Sequence, residues 1–71
     1  MNKYSLTGVN GNAYAIMGYT ANAMKDTGYS KEDIENYYKS AKSSDYSHLL
    51  AVSMDMLDRC NERLDSKENE D

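Results

Sequence analysis

SLTGVNGNAYAIMGY, residues 5–19, decides the reading of this chain, because its pattern changes from strand-like to helical at Asn10-Gly11-Asn12. Upstream, Tyr4, Leu6 and Gly8 alternate with Ser5, Thr7 and Val9, the two-residue period of a short β-strand. Asn10, Gly11 and Asn12 suit a tight turn, and Asn12 is a favoured helix N-cap type ahead of an alanine-containing run. A helix is therefore expected from about Ala13 to about Thr27.

Within that helix Ala13, Ile16, Thr20, Ala23 and Thr27 make one stripe with Met17 and Met24 beside it, while Ala15, Gly18 and Asn22 make a neighbouring stripe of small residues. Gly28 follows directly and can take the left-handed conformation that closes a helix. Ser30-Lys31-Glu32-Asp33 has the form of a capping box, opening a second helix from about Lys31 to Lys42 whose apolar residues are Ile34, Tyr37, Tyr38 and Ala41. Ser43-Ser44-Asp45 is a turn offering caps for a third helix, from about Tyr46 to Leu64. Its apolar residues form two adjacent stripes, Tyr46, Leu50, Leu57 and Leu64 beside Leu49, Val52, Met56 and Cys60, a face wide enough for more than one neighbour. From Asp65 onward nothing apolar remains to bury.

The expected fold is thus mainly α: a short N-terminal β-strand followed by three helices. Residues 1–64 form a single small helical domain and residues 65–71 a disordered acidic tail. No second strand is visible, and a lone strand leaves its backbone groups unpaired, so pairing with the same strand of a second copy is the simplest solution. A strand-like arm packed on its own helices is the alternative.

Seventy-one residues bury a thin core. One cysteine and one histidine make an internal disulfide impossible and a zinc site unexpected, leaving self-association as the extra source of stability. The chain shows no leader and no long apolar run, so neither export nor a membrane is expected; the expected location is the cytoplasm. A net charge of −4, with the excess acid from Tyr46 onward, disfavours non-specific nucleic-acid binding. All seven aromatic residues are tyrosines, which suit half-wet surfaces.

Each candidate site has a plainer reading beside it. Backbone N–H groups at Asn10, Gly11 and Asn12 could converge on an anion, or simply form a capped turn; no nucleotide-loop fingerprint is met. Tyr14 and Tyr19, with Tyr46 and His48, could stack on a base and bond its edges, or line a core rim. Asp45 and His48 could pair catalytically, although capping is the simpler use. Asp55, Asp58 and Glu62 are spaced as metal ligands might be, yet Arg59 and Arg63 interleave as on a solvated face. No catalytic residue, metal or cofactor is expected.

Two stretches, LTGVNGNAYAIMGY and SSDYSHLL, resemble segments of short, mostly uncharacterised phage and prophage proteins. That group pairs a Gly-x-Asp/Asn-Gly-Asn-Ala-aromatic start with a later Ser-Gly-Asp-Tyr-x-His-Leu-Leu segment. The matching residues are Gly8, Asn10, Gly11, Asn12, Ala13 and Tyr14, then Ser43, Asp45, Tyr46, His48, Leu49 and Leu50, with Ser44 in place of the glycine. The resemblance implies a phage-encoded protein acting in the host cytoplasm. The leading expectation is a non-catalytic anti-defence homo-oligomer that sequesters a nucleotide-like small molecule at a subunit junction, near Asn10 to Tyr14 and Tyr46 to His48. The alternative is an inhibitor that docks an acidic face on a host defence protein.

Overall fold

The computed structural model describes residues 4–69, with side chains through residue 65. The chain is mainly helical: α1 (Ala13–Asp26), α2 (Lys31–Ala41) and α3 (Tyr46–Asn69) pack against one another in all three pairings.

Each helix begins where a short polar side chain can satisfy its free N–H groups. The Asn12 Oδ1 accepts from the Tyr14 N–H at 2.8 Å, and the Asp45 Oδ1 from the His48 N–H at 2.9 Å. Ser30 and Asp33 form the expected reciprocal box, although the Asp33 arm is long at 3.4 Å because aspartate is shorter than glutamate. α1 ends where Gly28 adopts φ +92°, which lets the Gly28 N–H reach the Lys25 carbonyl and the Tyr29 N–H reach that of Met24. These two bonds close the helix in a Schellman motif.

The core draws Ile16, Met17, Ala23 and Met24 from α1, Tyr37 and Ala41 from α2, and Leu49, Leu57 and Cys60 from α3. Two polar residues are buried with them, and both are satisfied: the Thr20 hydroxyl donates to the Ile16 carbonyl at 2.9 Å, and Ser53 Oγ lies 2.6 Å from the Tyr37 hydroxyl. Ser53 falls outside both apolar stripes of α3 by type, but its register puts it on their shared face.

There is no strand among the described residues. Tyr4–Val9 instead folds back over α1 and α3: the Val9 N–H bonds the Leu6 carbonyl at 3.0 Å, and Gly8 turns the chain at φ +85°. Asn61 takes the place of a neighbouring strand, its Oδ1 accepting from the Tyr4 N–H at 2.8 Å and its Nδ2 donating to the Tyr4 carbonyl at 2.9 Å. The Ser5 N–H bonds the Tyr19 hydroxyl, and the Tyr4 and Tyr19 rings meet edge to face at 6.2 Å. Asn61→Ala should strand both Tyr4 backbone groups and cost about 1 kcal/mol. Amide exchange resolved at residues 4–9 checks it: protection lost there with the helices unchanged is expected.

At the other end α3 continues to Asn69 rather than stopping at Leu64; residues 70 and 71 of the expected tail lie outside the described residues. Neither glycine nor proline follows Leu64 to break the helix. Before Leu64, Arg63 ties α3 to the connection after α1, its guanidinium 3.6 Å from the Tyr29 ring centroid and its Nη1 donating to the Thr27 carbonyl at 3.1 Å.

Candidate ligand cleft

The first turn of α1 faces the corner where α2 ends and α3 begins, and a cleft of about 310 Å³ lies between them. Ala13, Met17, Ala41 and Leu49 supply apolar surface, Tyr14 and Tyr46 are among its lining residues, and Lys42 and Asp45 add charge. Tyr14 is 79% exposed and Tyr46 46%. The Tyr46 hydroxyl donates to the Gly11 carbonyl, tying the loop before α1 to the start of α3.

The residues expected to form a site divide three ways. Tyr14 and Tyr46 line the cleft, and Gly11 holds the Tyr46 hydroxyl from the adjoining loop. Asn10 and Asn12 shape the adjoining loop: the Asn10 Oδ1 accepts from the Asn12 N–H at 2.9 Å, and Asn12 caps α1. His48 and Tyr19 are engaged elsewhere. The His48 Nε2 lies 2.9 Å from the Ser40 carbonyl, which can only accept, so Nε2 carries the proton and the ring binds the end of α2. Asp45 meets the backbone N–H of His48 rather than its ring, so the imagined catalytic pair is a helix cap. Tyr19 follows Tyr14 by five residues, roughly 140° round the helix, and that rotation carries it to the N-terminal segment.

Sequence reasoning missed Met17, Ala41, Lys42 and Leu49 as cleft residues. Their signal was partial: Met17 lies one turn after Tyr14, and Leu49 one turn after Tyr46.

Other candidate chemistry resolves into structure. Asp55 and Arg59 form an exposed ion pair one turn apart at 3.3 Å, and the described residues contain no cluster of three potential metal ligands. No described helix is long and apolar enough to cross a membrane. The Cys60 side chain is fully buried, and burial pushes its thiol pKa up more than Thr27 and Arg63 lower it.

A thiol pKa raised in the folded state means the unfolded chain gives up that proton first. Its contribution to stability is therefore intact below the unfolded thiol range, about pH 8.5, and is lost as pH rises through the folded value. Cys60→Ala should flatten the alkaline limb of a stability-against-pH curve measured by urea unfolding. The native thiol should also resist alkylation at neutral pH; rapid labelling without unfolding would contradict its burial.

Compared with family models, curated proteins and solved structures, the chain matches none.

Proposed function

We propose that the chain is a binding protein that holds a nucleotide-like ligand in the cleft between the start of α1 and the α2–α3 corner. The observation that carries this reading is the meeting of Tyr14 and Tyr46, distant in sequence, beside apolar surface with Lys42 nearby. Tyrosine rings stack on any nucleobase, and a lysine complements phosphate charge. A volume of about 310 Å³ is at the small end for ligand pockets and suits a base with its sugar, leaving further ligand groups to a second subunit. Binding is favoured over catalysis because the Cys60 thiol is in the core and the His48 Nε2 is engaged by the Ser40 carbonyl.

The resemblance to phage and prophage proteins supplies the setting: sequestration of a nucleotide signal of host defence, by an oligomer, in the host cytoplasm. Calorimetry with cyclic nucleotides and ADP-ribose tests it. Saturable binding of at least one of them is expected, and no heat with any would sink the reading.

A second reading is favoured by Met54, 57% exposed on α3 and bordering the same surface cavity as Asp58. An exposed apolar side chain within an acidic face suits docking on a basic surface of a host protein. That reading expects indifference to nucleotides and a host complex that charge reversal at Asp55 and Asp58 dissolves.

A further inference from the structure

Gly18 stands in the middle of α1 without the positive φ that would call for glycine, and a Cβ built on it meets nothing within 4 Å. Glycine there weakens the helix relative to alanine, and no packing inside the chain requires it. One turn before it lies Tyr14, the most exposed of the large apolar and aromatic side chains described. One turn after it lies Asn22, which with Lys25 borders a second cavity of about 460 Å³ between the end of α1 and the start of α2. Ala21 and Ile34 give this cavity apolar surface, and Lys31 lines it too. Neither Lys25 nor Lys31 has an ion-pair partner among the described residues.

We propose that this face is a self-complementary interface, in which two copies cross their α1 helices antiparallel about a two-fold axis at Gly18, and each Tyr14 ring enters the other copy's cavity at Asn22 and Lys25. Helix geometry sets the register: in an antiparallel crossing centred on position 18, position 14 of one copy faces position 22 of the other, and the contact recurs with the roles exchanged. The bare backbone at Gly18 lets the helices approach closely. Tyr14 is the projection, and the cavity receives it on apolar surface with two lysine ammonium groups that are attracted to a tyrosine ring.

The N-terminal segment is a poorer interface. Its N–H groups at Tyr4, Ser5, Thr7 and Val9 are already bonded within the chain. A single helix crossing falls at the small end of specific interfaces, so the dimer forms in the micromolar range rather than the nanomolar. Because Tyr14 also lines the ligand cleft, the ring gives one face to the other copy's Asn22 and Lys25 and keeps its opposite face for a ligand. That last step rests on the proposed function, whereas the crossing stands without it.

Sedimentation equilibrium of the ligand-free chain, from micromolar to millimolar, is the test. A reversible dimer is expected. Gly18→Ala should raise Tm by roughly 2–6 °C while weakening the dimer about tenfold, and Gly18→Leu should give a folded monomer. Only a residue at a two-fold axis faces itself. In a Cys60→Ala background, Gly18→Cys should therefore oxidise to a linked dimer, whereas Asn22→Cys should link to Tyr14→Cys and not to itself. A chain monomeric throughout, or a dimer indifferent to Gly18→Leu, overturns the crossing. Calorimetry separates the two readings: a dimer that binds no nucleotide removes the proposed function alone, and a monomer that binds one removes the crossing alone.

Discussion

Met24→Ala should leave a large share of the chain unfolded at 25 °C. The Met24 side chain is fully buried among residues from all three helices, and its backbone carbonyl accepts the Tyr29 N–H that closes α1. Truncating such a methionine costs about 2–5 kcal/mol, because transfer energy is lost and the cavity collapses only in part. A single core in a chain of this size rarely supplies more than about 3–5 kcal/mol in all. The loss is thus comparable with the whole. Circular dichroism during urea titration reads it directly, and Met24→Leu, which nearly conserves volume, should keep most of the native stability with a cost below about 1.5 kcal/mol. If Met24→Ala unfolded at the same urea concentration as the parent, the core would lie elsewhere.

Tyr14→Ala should act in the opposite way, leaving the fold intact and removing binding. At 79% exposure the ring contributes little to the core, and the alanine that replaces it is the better helix former. If a nucleobase stacks on it, truncation should cost about 1–3 kcal/mol of binding, a loss of affinity of between roughly fivefold and a hundredfold. Tyr14→Phe keeps the stacking face and should retain most of that affinity. Tyr46→Phe tests a different contribution: the ring stays, but the bond from the Tyr46 hydroxyl to the Gly11 carbonyl is lost, so the loop before α1 should loosen and binding should fall through disorder of the wall. Calorimetry with whichever nucleotide the parent chain binds measures all three. Equal affinity in Tyr14→Ala and the parent would place the ligand away from this cleft.

The two variants probe levels that differ in how far the sequence reveals them. Met24 belongs to a run of apolar side chains recurring at helical spacing, and that period is visible in any listing of the residues. The cleft has no such period. Tyr14 and Tyr46 share a cleft because the start of α1 lies beside the end of α2 and the start of α3, which is a property of the packing. The same distinction explains Tyr19 and His48. Both carry side chains suited to a base, but five residues of rotation turn Tyr19 away from Tyr14, and the end of α2 occupies the imidazole of His48.

By itself the sequence determined the three helices, their caps and most of their buried faces, because these follow from contacts within four residues: a short side chain bonding a nearby N–H, a glycine free to take positive φ, and apolar groups repeating every three or four positions. Only the tertiary structure decided the fate of Tyr4–Val9 and the length of α3. A two-residue alternation shows that a segment could extend, but its hydrogen-bond partners lie far along the chain. The amide of Asn61 and the hydroxyl of Tyr19 serve residues 4 and 5, as the guanidinium of Arg63 serves the Thr27 carbonyl past the end of α1. Partners brought together by folding leave no local pattern to read.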